Sequence, residues 1–234
     1  GRMEFKISKV DFDDYYLSKT CEINLGEKVV LAPFKAISPK EILDSVPLNQ
    51  ELTQLKAVYR SFTGESIQYA RRNREKTHLF NSKLASEMSR TSEGANFVIN
   101  SFKDNRLPTE SEVRHMVNAS YPFTDMVMVP VPKKYLKTFG REQSDKIEKE
   151  LKGYIDLACD IIAIKNHKPV MGFVSVDMNL FLFNEILNYF LGKGINGFYF
   201  DFCGKVYSGI SQFIRELNLQ LEEHNMTEST FIYA

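Results

Sequence analysis

Two aspartates close runs of otherwise apolar residues, and they are the first side chains to suggest chemistry. Asp177 follows the run 170–176, and Asp201 lies within Phe198-Tyr-Phe-Asp-Phe202. A carboxylate in such a place must face a mouth, a partner or solvent, because burying an unpaired charge is prohibitive. Strand alternation puts Tyr199, Asp201 and Cys203 on one face and Phe198, Phe200 and Phe202 on the other. Ser175 and Asn179 flank Asp177, Lys205 follows Asp201, Lys35 ends an earlier apolar run, and Lys133 and Lys134 follow Pro132. Carboxylates beside lysines can run acid and base steps, hold a divalent cation through hard oxygens, or offer one aspartate as a nucleophile. Asp177, Asp201 and Lys35 are therefore the candidate catalytic residues, and Ser175, Asn179, Lys205 and Tyr199 the candidate substrate contacts. Each has a structural alternative. Asp177 could cap the helix that begins near Asn179, Asp201 could be a lysine-paired carboxylate, and Lys35 could point to water. Cys203, with no histidine near it in sequence, reads as a buried, unreactive thiol.

The elements that must position these groups follow a pattern. From residue 122 onward, short apolar β-type runs at 125–132, 168–177, 195–202 and 230–234 alternate with amphipathic helices at about 142–160, 179–193 and 208–224. Strands alternating with helices imply βαβ units and a parallel sheet buried under helices. Such sheets carry their chemistry at the carboxyl ends of the strands. The expected architecture is a TIM-like (β/α) barrel, incomplete because the strand at 230–234 has no helix after it. An open doubly wound parallel sheet is the alternative, disfavoured because the Gly-x-Gly-x-x-Gly and Gly-x4-Gly-Lys-[Ser/Thr] motifs are absent.

One domain over 3–234 is expected, with Gly1-Arg2 read as an appended remnant. Upstream, 3–10 reads as a strand or extended arm and 28–35 as a core strand. A helix is expected to start at Ser38-Pro-Lys-Glu41, with a second short one over 49–60. Residues 61–107 read as an insertion or irregular segment. Within it, short strands at 66–70 and 77–80 would flank a basic turn at 71–76, ahead of a helix at 82–90 and a strand at 95–100. Thr109-Glu-Ser-Glu112 predicts a capped helix to about 118, and Gly194 a left-handed helix end.

Composition limits the classes of function. Thirty basic and thirty acidic residues cancel, so no global field draws nucleic acid or an anionic membrane. A local nucleic-acid contact is the sharper reading of Arg71, Arg72 and Arg74, which have Phe62, Tyr69 and Phe80 nearby to stack on bases; a solvated face is the blander one. Cys21, Cys159 and Cys203 form no CxxC pair, and His78, His115, His167 and His224 form no zinc-binding pattern, so no metal ligand is assigned. No motif names a cofactor or an oligomeric state. With no apolar run of transmembrane length and no signal-peptide core, the reading is a cytoplasmic protein without a membrane partner.

One segment, Lys168-Pro-Val through Gly194-Ile-Asn-Gly-Phe-Tyr-Phe-Asp-Phe-Cys203, resembles the late barrel strands of tRNA-guanine transglycosylases. There a strand following a helix and a glycine ends in Phe-Asp, and the aspartate is a nucleophile; the resemblance thus implies that role for Asp201. It covers residues 168–203, with a longer helix between the strands, and lacks that family's zinc ligands and guanine-reading motif. Three functions follow as expectations. The first is a barrel-type enzyme acting on a small polar or anionic substrate. The second is a nucleic-acid-linked protein, either a transglycosylase-like transferase or an RNA- or DNA-binding platform. The third is a non-catalytic assembly subunit.

Overall fold

A computed structural model of the chain describes residues 6–13, 18–25, 28–35, 55–89, 95–122, 124–138, 144–164, 166–205, 207–227 and 229–233, with backbone alone up to residue 57. Three strands come first: β1 (Lys6–Asp13), β2 (Ser18–Leu25) and β3 (Lys28–Lys35) pair antiparallel in the order β1-β2-β3. The helix expected from Ser38 lies outside the described residues.

The parallel part begins with β4 (Leu55–Phe62), α1 (Gly64–Arg72), α2 (Arg74–Ser89) and β5 (Ala95–Phe102). It continues with α3 (Glu110–Ser120), β6 (Val127–Met128), β7 (Val131–Pro132), α4 (Lys133–Lys137) and α5 (Ser144–Ala163). The last elements are β8 (Val170–Ser175), α6 (Leu180–Gly192), β9 (Gly197–Asp201), α7 (Tyr207–Glu223) and β10 (Phe231–Tyr233). The sheets run β4-β5-β7 and β10-β9-β8-β6, and every neighbour in them is parallel. The parallel α/β expectation therefore holds.

The two sheets share one stretch of chain. Met126 bridges Phe97, Val127 and Met128 pair with β8, and Val131 and Pro132 pair with the end of β5. The single strand expected at 125–132 is split at Pro130, which has no N–H to donate to a ladder. The Pro130 carbonyl instead accepts a 2.5 Å bond from the buried Tyr154 hydroxyl. Strand order thus follows chain order from β4 to β10 without a reversal.

Two local expectations are corrected. Residues 55–60 of the stretch read as a helix over 49–60 belong to β4, whose eight residues pair in register with β5 from Leu55↔Ala95 to Phe62↔Phe102, while 49–54 lie outside the described residues. Val58, Tyr59 and Phe62 suit a pleated surface, and long-range pairing overrides a local helical reading. The segments 66–70 and 77–80, read as strands, belong to α1 and α2. Thr63 Oγ1 accepts from the Ser66 N–H at 3.0 Å while Ser66 Oγ accepts from the Thr63 N–H at 2.9 Å, a reciprocal cap that starts α1. The described part of 61–107 therefore carries regular elements. The cap expected at Thr109 is present, with Thr109 Oγ1 accepting from the Glu112 N–H and Glu112 Oε1 from the Thr109 N–H. Gly194 turns left-handed at φ +78°.

The outer face of β8 and β9 carries the core against α6. Phe198 meets Phe190, Phe200 meets Phe183, and Gly172 has no side chain because a Cβ there would lie 2.8 Å from the Phe190 ring. Each such phenylalanine contributes roughly 1.5–3 kcal/mol by burial. On the other face the tyrosines gather: Tyr59 packs on Tyr199 at 6.3 Å, Tyr199 on Tyr233 at 6.5 Å, and Phe97 on Tyr233 at 5.6 Å between ring centroids. Since β4 and β10 stand at opposite ends of the strand order, these contacts require a strongly curled sheet. Among the described residues no ladder joins β4 to β10, and no helix is long and apolar enough to cross a membrane.

Candidate functional site

The register of β8 and β9 sets Ser175 beside Asp201, so the residues just past each strand share one rim. Asp201 ends β9 with its side chain only 7% exposed. Its Oδ1 accepts from the Cys203 N–H at 2.9 Å, and its Oδ2 lies 3.4 Å from Lys133 Nζ. Lys133 opens α4 directly after β7, so the pair links neighbouring loops. Asp177 reaches Lys205 Nζ at 4.0 Å through Oδ1 and Lys137 Nζ at 3.9 Å through Oδ2. Both are ion pairs beyond hydrogen-bond length, and Asp177 Oδ2 is buried with no hydrogen-bond partner among the described residues. Ser175 Oγ accepts from the Asp177 N–H at 3.1 Å and lies 3.3 Å from Cys203 Sγ. Lys205 Nζ also donates to the Val176 carbonyl at 3.3 Å.

The loop after β9 is held in an uncommon shape. Cys203 adopts φ +52° and Gly204 φ +70°, so a non-glycine residue occupies the left-handed region beside two carboxylates. The hydrogen bond from the Cys203 N–H to Asp201 supports that turn. Burial, together with contact to the Asp177 carboxylate and the charge of Asp201, pushes the Cys203 thiol up to about 12, although the Ser175 contact acts the other way. At neutral pH it is a protonated thiol. Tyr199, one layer beneath Asp201, has its hydroxyl pushed upward chiefly by burial and then by Asp201.

The fold brings together Asp177, Asp201, Ser175 and Lys205, with Tyr199 below them. Asn179 is committed differently: its Oδ1 accepts from the Leu182 N–H at 2.8 Å and caps α6. The capping alternative weighed for Asp177 is thereby corrected, because the cap lies two residues later. Lys35 ends β3 in the antiparallel sheet, where its backbone pairs with Ser18, and its side chain lies outside the described residues. Strand pairing does not carry it to this rim. Sequence reasoning marked Lys133 but missed Lys137. The signal was available in the four-residue spacing, which puts both lysines on one face of any helix following β7.

The basic stretch is distributed over two helix ends rather than a turn. Arg71 and Arg72 lie in the last turn of α1 and Arg74 opens α2, all three exposed. Arg71 Nη2 donates to the Ser111 carbonyl at 2.8 Å and to Ser111 Oγ at 2.5 Å. A cavity of about 470 Å³ opens between α1 and α3, lined by Arg71, Glu110, Ser111, Arg114, His115 and Asn118. Neither aspartate lines it. Among the described residues, no group of three or more His, Cys, Asp or Glu side chains gathers at metal-binding range. The two aspartates could supply at most a pair of carboxylate ligands, and lysines already face both.

In comparisons with known proteins, no family model matches the chain and no curated protein matches it.

Proposed function

We propose that the parallel strands form an incomplete (β/α) barrel of the TIM type, and that its rim is the active site of an enzyme for a small, polar, anionic substrate. Two observations support the barrel over a doubly wound sheet. Strand order runs from β4 to β10 without the reversal that defines a doubly wound fold. The inner tyrosines of β4, β9 and β10 touch across the concave side, where a flat sheet would hold them apart.

The observation that carries the enzymatic reading is Asp177 Oδ2, a buried carboxylate oxygen without a hydrogen-bond donor among the described residues, on a side chain whose Oδ2 faces Lys137 and whose Oδ1 faces Lys205. A buried acceptor left unmatched costs about 1–3 kcal/mol, and a substrate O–H or N–H would satisfy it. Asp177 is then the general base. Asp201, with both oxygens occupied by Cys203 N–H and Lys133, holds the lysine in place; the nucleophilic role implied by the transglycosylase resemblance fits it poorly. Lys133, Lys137 and Lys205 bind the anionic group, and Cys203 stays a neutral thiol.

The test is saturation-transfer NMR with ribose 5-phosphate and malate as probes. Saturable binding is expected in the wild type and should be lost in the K133A/K137A/K205A variant with its fold intact by circular dichroism. Probe binding retained by that variant refutes the assignment of the rim.

A further inference from the structure

The cavity between α1 and α3 lies apart from the rim, and it borders an unusual column of rings. The Arg60 guanidinium lies 5.0 Å over the Phe62 ring and 5.5 Å over the Phe80 ring, and Phe62 in turn packs edge-on against His115 at 6.2 Å. Arg60 donates to the Ala119 carbonyl at 3.1 Å and to Asn81 Oδ1 at 3.4 Å. No carboxylate pairs with it among the described residues. Burial lowers the affinity of Arg60 for its proton, as expected for a cation withdrawn from water without a counter-ion.

Around the cavity the charges are unevenly neutralised. Arg114 is tied to Glu110, its Nε and Nη2 lying 3.1 and 2.7 Å from Oε1. Arg71 spends one nitrogen on Ser111 and has no carboxylate partner among the described residues. Half-buried His115 is held below the usual histidine range by burial and then by the positive fields of Arg71 and Arg60. The cavity wall therefore carries an excess of positive charge, one guanidinium with donors to spare, an imidazole and the amide of Asn118. Guanidinium groups match the planar spread of phosphoryl oxygens, and a buried cation lacking a partner gains most from an incoming anion.

We propose that this cavity is a phosphoryl-binding site, in which Arg71 and His115 contact the oxygens and Arg60 supplies charge from behind. The site takes a single phosphoryl group on a small molecule. It does not depend on the rim reading. Tyr69, two residues before Arg71, lies about 200° round the helix from it, so no aromatic platform for successive bases adjoins the cavity on α1.

The imidazole carbon–proton resonances of the four histidines read the site directly when inorganic phosphate is titrated into the intact protein at constant ionic strength. The expected result is a saturable shift of the His115 resonance, with His78, His167 and His224 unmoved. Arg71→Gln should weaken it at least about tenfold, whereas Lys133→Ala on the rim should leave it unchanged. If Arg71→Gln fails to fold, Asn118→Ala serves as the second variant, with a smaller loss expected. Equal shifts of all four histidines, or no shift of His115 up to tens of millimolar phosphate, overturn the proposal. A parallel titration uses a ten-nucleotide single-stranded RNA. A His115 response to RNA, steep in salt and without a response to phosphate, also overturns it in favour of an extended nucleic-acid surface.

Discussion

Deleting the ammonium of Lys133 and deleting the charge of Asp201 perturb one ion pair, yet their effects on stability are expected to differ in size. Asp201 is 7% exposed and Lys133 is 35% exposed, at a separation of 3.4 Å. Lys133→Met strands a buried carboxylate. Such a loss costs about 3–5 kcal/mol when both partners are buried, and water reaching the half-open lysine side reduces this to about 1–2 kcal/mol. Asp201→Asn keeps the Oδ1 acceptor for the Cys203 N–H and leaves a lysine that can turn to solvent. Its cost is expected to stay below about 0.5 kcal/mol, as for substitutions that leave no buried group unmatched. Urea unfolding followed by circular dichroism measures both, and for a chain of this size the Lys133→Met loss corresponds to a Tm drop of roughly 2–8 °C. The double variant should recover most of the deficit, because the stranded charge is gone. Equal losses in the two single variants, or a larger loss for Asp201→Asn, would refute the claim that Asp201 is a buried charge held by Lys133.

Other substitutions test neighbouring parts of the argument. Arg106 Nη1 lies 2.6 Å from Glu112 Oε1, and this contact above all holds the Glu112 carboxyl down to about 2 against its ordinary 4.5. A lowered folded value means the stabilisation is present above pH 4.5 and drains away as pH falls towards 2. Because Arg106 is half exposed, the gap between wild type and Glu112→Gln at pH 7 should be about 1–2 kcal/mol, and denaturation at pH 3 should find most of it gone. Gly172→Ala drives a Cβ to within 2.8 Å of the Phe190 ring and should cost about 1–3 kcal/mol by overpacking; a neutral result in thermal unfolding would contradict the packing of α6 on β8. Iodoacetamide should label Cys203 slowly at pH 8 and speed up only as pH approaches about 12, so rapid labelling at pH 8 would rule out a protonated thiol. Asp177→Asn, which removes charge from an oxygen with no donor, should leave the Tm unchanged or raised while abolishing rim function. A Tm fall of several degrees would make Asp177 structural.

Long, strongly patterned elements were readable from residues alone. The helices now assigned to α5, α6 and α7 and the strands β8, β9 and β10 follow from apolar periodicity, because each buries one face against a neighbour close in sequence. The alternation that separated Tyr199, Asp201 and Cys203 from Phe198 and Phe200 was legible for the same reason. The helix read over 82–90 falls in α2, but the region from β4 to the start of α2 was not legible. Its strand is fixed by pairing with β5, whose residues lie forty positions later, and its helix by a Thr-Ser cap rather than by an apolar stripe. Short strands also defeat periodicity: β6 and β7 hold two residues each, and their split depends on a proline whose carbonyl finds a tyrosine from α5. The site was half legible. Strand ends named the aspartates, but pairing of Asp201 with Lys133 is a contact between loops, and no spacing in the sequence encodes it.

The two aspartates, similar in sequence context, are separated in role by their surroundings. Asp201 sits two residues deeper relative to the strand ladder, receives a backbone N–H and faces a lysine fixed at the start of a short helix. Every oxygen is used, so binding a substrate there would require breaking an existing contact. Asp177 stands beyond its strand, its carboxylate in contact with the neutral Cys203 thiol and facing two lysines that are about half exposed and lie beyond hydrogen-bond range. Lys137 can swing to an incoming anion, and Lys205 can follow by giving up its 3.3 Å bond to the Val176 carbonyl. On the proposed reading, an anionic group drawn to Lys137 and Lys205 would arrive beside Asp177 Oδ2, which has no donor among the described residues. On that reading, placement of the binding cations and the unmatched acceptor on the same carboxylate makes Asp177, rather than Asp201, the residue at which proton transfer is cheapest.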